Sequence, residues 1–213
     1  RRFRRGSGHH KALRRGRHGL ARAIALGRWG GFRRGTICAI PRSARIESVD
    51  EANGHHRRLY WITEKRRILC DKREDGRLTN LLARTDNSGK ATTIAYNADG
   101  YPWKERQLNQ AMDRLLTGLA KDGKVRAATD EKTGEIYCPL TIHGLRHARG
   151  VEIAQAGGSD AEIMAQLEHA TDRQAKTYRR QADRRKLADA GQDRGDTVVK
   201  LRPRRAANAG PQR

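Results

Sequence analysis

Cysteine is scarce: Cys38, Cys70 and Cys138 are odd in number, far apart and without CxxC spacing, which speaks against a disulfide framework or a cysteine-held zinc. A reducing cytoplasm is the compartment that such usage fits. No stretch supplies the ~18 or more continuous apolar residues of a spanning helix, so a membrane is not an expected partner. A signal peptide is also lacking. "LARAIALGRWGGF" is short, is broken by Arg22 and Arg28, and carries no small-residue cleavage pattern. The glycines of "GRWGG" are not followed by GKS or GKT and read as turn residues rather than a phosphate loop. The paired His9 and His10, and His55 and His56, lack further spaced ligands, so they read as loop residues and no metal is expected. No internal repeat is evident. Acidic residues are missing altogether before Glu47.

What is abundant is positive charge. Across 213 residues, 46 Lys and Arg face 24 Asp and Glu, a net +22 that attracts a polyanion, most often nucleic acid. The length suits one domain, or one plus a small appendage. Residues 1–19 read as a basic N-terminal arm, 20–190 as the folded domain and 191–213 as a basic C-terminal tail. The first residue is Arg rather than Met, as in a fragment or a processed product.

From Leu59, "LYWITEKRRILC" sets aromatic and β-branched residues on both sides of a polar turn, which predicts a hairpin. Turns are expected at Asp86 to Gly89 and Asp99 to Pro102. Leu108, Met112, Leu115, Leu116 and Leu119 share one helical face, with Gly123 just past its end. After "PLTIH" a helix is expected from about Gly144 to Ala156. "SDAE" then forms a capping box with Ser159 and Glu162, and "TDRQ" from Thr171 forms another, opening the helix that holds Tyr178. The fold class expected is α+β, mostly helical, with a small antiparallel β-element.

"HGLRH" supplies His143, Arg146 and His147, and His169 and Tyr178 follow. Alone, Tyr178 would be read as packing, because Ala175 and Ala182 lie on its helix face. Taken together, "LTIHGLRHARGVEIAQAGGSDAEIMAQLEHATDRQAKTYRRQ" resembles the catalytic domain of the tyrosine recombinases, the phage-type integrases: the HxLRH helix, the helix ending in LGH and the TxxY helix occur in order. Upstream, "WGGFRRGTICAI" is similar to that family's TGxRxGE segment and sets Arg33 at the first arginine position, with Arg34 the competitor. The family's lysine on a β-turn corresponds to Lys65, with Lys72 the alternative. The resemblance covers roughly Leu20 to Ala190. Two departures stand out: Thr36 replaces the family's acidic residue, and Glu168 replaces the glycine of LGH, so that a turn with φ > 0 would have to be rebuilt.

The resemblance implies site-specific recombination or integration of DNA through a 3′-phosphotyrosyl intermediate. Arg33 and Arg146 would clamp the scissile phosphate, for which a planar, permanently charged fork is suited. Tyr178 would be the nucleophile, His143 and His169 would donate to the phosphate or move the proton, and Lys65 would protonate the departing oxygen. His147 is left out of the chemistry. No cofactor and no metal are implied, since one phosphodiester is exchanged for another. The implied partner is double-stranded DNA, held by a homo-tetramer on paired sites, with no membrane and no small-molecule substrate. Family members usually carry a separate helical domain ahead of the catalytic one. Without it, DNA binding is expected to be strong, salt-sensitive and weakly specific. The alternatives are a catalytically impaired remnant that only binds DNA and a type IB topoisomerase-like enzyme.

Overall fold

The computed structural model describes residues 17–52, 54–63, 67–85, 91–168 and 172–201, with backbone alone at 172 and 197–201. The arm up to residue 16, the turn at Asp86 to Gly89, the Thr171 cap and the tail from Arg202 lie outside the described residues.

Helix α1 (His18–Arg28) is the central element, with every residue from Gly19 to Gly27 buried. Arg22, in the middle of an apolar run, is buried, and its guanidinium donates to Thr85 Oγ1 at 2.9 Å, Ile94 O at 3.0 Å and Leu82 O at 2.9 Å. Gly19 lies so close to the neighbouring chain that a Cβ would sit 1.7 Å from the Tyr96 carbonyl oxygen. Helix α2 (Arg34–Ala39) and a 3-10 turn (Arg42–Ala44) lead into an antiparallel sheet of β1 (Arg45–Asp50), β2 (Gly54–Ile62) and β3 (Leu69–Arg73), in that order. β2 and β3 are the predicted hairpin. His55 and His56 lie on β2 rather than in a loop, since they pair with Val49 and Ser48 of β1.

Helix α3 (Gly76–Arg84) is capped by Asp75. Helix α4 (Glu105–Lys121) buries Leu108, Met112, Leu115, Leu116 and Leu119 as their spacing predicts. It ends at Gly123, whose φ of +66° lets the next amide, Lys124, reach back to Leu119 O at 2.8 Å. The two-residue strands β4 (Ala128–Thr129) and β5 (Ile136–Tyr137) close the polar turn that follows.

Three helices finish the chain. α5 (Ile142–Gln155) is capped by the Thr141 side chain, which accepts from Gly144 N at 3.0 Å. α6 (Asp160–Leu167) starts with the predicted capping box of Ser159 and Glu162. α7 (Asp172–Leu201) runs for 30 residues. The core has two parts: one surrounds α1 and α4, and a smaller one joins α5, α6 and α7 through Ala154, Ile163, Leu167, Ala175, Tyr178 and Ala182. None of the helices among the described residues is long and apolar enough to cross a membrane.

An alternating charge network fixes α5 against α1 and α3. Glu152 pairs with Arg28 at 2.9 Å and with Arg149 at 3.1 Å, while Asp75 takes Arg77 at 2.6 Å. Hydrogen bonds from Arg77 hold the Asp75 carboxyl below its ordinary range. Burial pushes Glu152 the other way, but the hydrogen bonds and charges of Arg28 and Arg149 outweigh it and lower its pKa as well. Carboxyls depressed in the folded state contribute stability above their unfolded pKa and lose it as pH falls through the folded one. The urea midpoint should therefore hold from neutrality to about pH 5 and decline below the ordinary carboxylate range. Glu152→Gln should lower the neutral-pH midpoint and flatten that acid decline; an acid limb as steep as the parent's would show that the network is not its source.

Candidate active site

The "WGGF" segment turns sharply at Gly31, where φ is +69° and a Cβ would come 2.7 Å from Leu167 Cδ2. That turn delivers Arg33 to the start of α2 in extended conformation, φ −70° and ψ 154°. Arg33 faces a cleft of about 1030 Å³ that is also lined by Arg34, Thr36, Trp61, His143 and Arg146. His143 and Arg146 are three residues apart on α5 and share the face that looks into the cleft.

Arg146 is the deepest of these groups, only 1 % exposed. One end of its guanidinium donates to Gly31 O at 2.5 Å and the other to Leu167 O, so it spans the loop before Arg33 and the end of α6. Burial, and then the charge of Arg33, lower its pKa to about 10, while Glu168 and Tyr178 pull it back up. It remains a cation at neutral pH.

Tyr178 projects from the second turn of α7 into the same region. The charge and hydrogen bonding of its phenol act on the Arg146 guanidinium, raising its pKa, and the residue is 6 % exposed. The ring leans on His147, with centroids 4.9 Å apart, and His147 is held by Gln181 at 2.6 Å. Behind it is Gly150. A Cβ there would lie 2.7 Å from Tyr178 Cδ1 and 2.8 Å from Leu167 Cδ1. Sequence reasoning missed Gly150, although a glycine inside a helix costs roughly 0.5–1 kcal/mol relative to Ala and so asks for a reason. Here the reason is a shelf for the tyrosine ring. Gly150→Val should force the ring out: we expect a loss of stability of about 1–3 kcal/mol by overpacking, read from urea unfolding. An intact parent midpoint would show that the ring does not rest there.

Of the six residues expected in the site, Arg33, His143, Arg146 and Tyr178 are thus brought together around the cleft and its floor. Lys65 and His169 lie outside the described residues; Thr63, two positions before Lys65 in the sequence, lines the cleft. Of the two alternatives, Arg34 is half exposed and tied to Glu105 at 2.6 Å. Lys72 is buried, its Nζ 3.0 Å from Glu168 and 2.7 Å from Gln166 O, with burial lowering its pKa.

The two departures resolve differently from their sequence-level reading. Near Thr36 a carboxylate comes instead from Glu105 of α4, distant in sequence, and it pairs with Arg34. At the LGH position the turn is not rebuilt: Glu168 itself takes the left-handed conformation, φ +51° and ψ 45°. Such a conformation costs a side-chain-bearing residue on the order of 1 kcal/mol or more, and the ion pair with Lys72 holds it there. Among the described residues, no group of three or more His, Cys, Asp or Glu could hold a metal ion.

No protein-family model and no curated protein sequence matches the chain. Solved structures do. The integrase of the Tn1549 transposon in complex with transposon right end DNA superposes with a TM-score of 0.58 at 13% identity, over 85% of this chain and 63% of that one. A lambda integrase dimer bound to a COC′ core site gives 0.56 at 19% identity, over 81% and 45%. The XerH site-specific recombinase bound to palindromic difH substrate gives 0.58 at 15% identity, over 86% and 50%. The chain therefore spans about half to just under two thirds of the length of these structures.

Proposed function

We propose, from a chain that has the catalytic-domain fold of the tyrosine recombinases, that it cleaves and rejoins strands of double-stranded DNA through Tyr178. The observation that carries this reading is the packing of Tyr178 against the helix that bears Arg146, close enough for its phenol to act on that buried cation, which shares its cleft with Arg33 and His143.

In this reading the two guanidinium groups take the non-bridging oxygens of a phosphodiester and stabilise the charge that builds up during transfer. The phenolic oxygen forms a bond to phosphorus, the bond to the 5′ oxygen breaks, and a 3′-phosphotyrosyl link remains. The phenol must lose its proton during attack. His143 and His169 are the groups offered to receive it or to donate to the phosphate, and Lys65 is the acid that protonates the departing 5′ oxygen. Attack by a second 5′ hydroxyl then reverses the link and rejoins a strand. Because each new phosphodiester-type bond replaces the last, neither ATP nor a metal enters the scheme. Recombination of paired sites by a tetramer is the form of the reaction that the fold suggests. Relaxation of supercoils by single copies is the topoisomerase form of the same chemistry.

The test is covalent trapping. The protein is incubated with a pool of nicked duplexes, denatured in detergent, digested, and the adduct peptide identified by mass spectrometry. A phosphotyrosyl nucleotide on Tyr178 supports the reading. Adducts on another residue overturn it. Salt-dependent DNA binding without any adduct, persisting when a helical clamp domain is supplied in the same chain, favours a protein that only binds DNA.

A further inference from the structure

Two cations grip the same two stretches of backbone. Arg146 donates to Gly31 O and Leu167 O; Lys72 donates to the preceding carbonyls, Gly30 O at 3.3 Å and Gln166 O at 2.7 Å. The first stretch leads into Arg33, and the second leads through Glu168 to His169. Lys72 is 6 % exposed and Glu168 3 %, their charged ends are 3.0 Å apart, and the ammonium lies 4.0 Å from the centroid of the Phe32 ring. Glu168 also acts on Arg146, opposing the repulsion from Arg33.

We infer that Lys72 and Glu168 are a positioning pair for Arg146: they fix the carbonyls on which its guanidinium is hung, and Glu168 supplies the negative charge that lets three cations gather there. The inference rests on Arg146 being the phosphate clamp proposed above. An arginine that bridges two loops points where the loops place it. Lys72 sets the spacing of those loops from below, and the left-handed turn at Glu168 brings the carboxylate back beneath them. Buried ion pairs add little net stability compared with apolar replacements of similar volume, so stability alone does not account for the pair. Placement does.

The experiment compares the parent with Lys72→Met/Glu168→Gly, which removes both charges together and restores glycine at the strained turn. Melting temperature is measured first: relief of the left-handed turn offsets part of the cost of leaving the Gly30 and Gln166 carbonyls without their donor, so the double variant is expected to fold and to melt below the parent. Two readouts follow. With nitrogen-labelled arginine, the Arg146 guanidinium signal, identified by its absence from Arg146→Lys, should be resolved and slowly rotating in the parent and averaged in the double variant. In trapping, the double variant should react on the order of 10²-fold more slowly, as for a catalytic group displaced by about 1 Å, with DNA affinity within about twofold of the parent. A double variant that keeps both the resolved signal and the parent rate overturns the inference. If the double variant fails to fold, Glu168→Gln, which keeps the side-chain volume, carries the same comparison: a parent-like signal and rate there overturn the inference, and loss of both supports it. If the parent forms no adduct with any duplex, the phosphotyrosyl reading fails, while the guanidinium signal still decides whether the pair positions Arg146.

Discussion

Tyr178→Phe should leave a folded protein that binds duplex DNA as the parent does and forms no covalent adduct at all. The aromatic ring, which fills the space between Gly150 and His147, is kept, and only the hydroxyl is removed. The stability cost should be confined to the lost contact with Arg146, about 0.5–1.5 kcal/mol for a hydrogen bond. Binding rests on many phosphate contacts from a chain of net charge +22, and one phenol contributes little to them. Detergent gels of the two proteins on the same duplex, beside salt titrations of binding, give the answer. Persistence of the adduct in the variant would mean that another nucleophile acts and that Tyr178 is a packing residue.

Arg146→Ala should be costly in two currencies at once. On the chemical side, removing one fixed donor from a developing anion lowers the rate on the order of 10²–10³-fold. On the structural side, the carbonyls of Gly31 and Leu167 lose their donor inside the protein, which costs about 1–3 kcal/mol for each buried group left unsatisfied. Arg146→Lys separates these effects. It retains a charge near Arg33 and Glu168, but an ammonium is a point donor without the fork needed to span both carbonyls. We expect Lys to recover part of the stability and little of the rate. A lysine variant with the parent's trapping rate would show that charge is enough and that the fork is not needed.

The C-terminal helices were legible in the sequence because their signals are local: a capping box at Ser159, periodic leucines on α4 and a glycine stop at Gly123 each act within a turn or two. Three of the clustered site residues, His143, Arg146 and Tyr178, lie on two of those helices, α5 and α7, while Arg33 comes from the turn at Gly31 ahead of α2. What could not be read depends on neighbours distant in the chain. Nothing in "RIESVD" marks it as β1 until Arg45 finds Glu74 at 2.7 Å and the strand finds β2. Gly19 and Gly150 are glycines because Tyr96 and Tyr178 press on them, and neither tyrosine is close in sequence. Lys72 and Glu168 are a charged pair only in three dimensions. Glu105, standing beside Arg34, is likewise invisible to a motif that seeks an acidic residue at the position of Thr36.

The double duty of Arg146 has a consequence for how such a protein could decay. In the proposed chemistry this side chain is both keystone of the vault and the tool mounted in it, and it cannot be discarded without bringing down part of the masonry. Tyr178, whose ring does the packing and whose single oxygen is the proposed nucleophile, can be retired by the loss of one atom. A lineage drifting from cutting DNA to merely holding it would therefore shed the hydroxyl early and keep the buried arginine long after its reaction had gone.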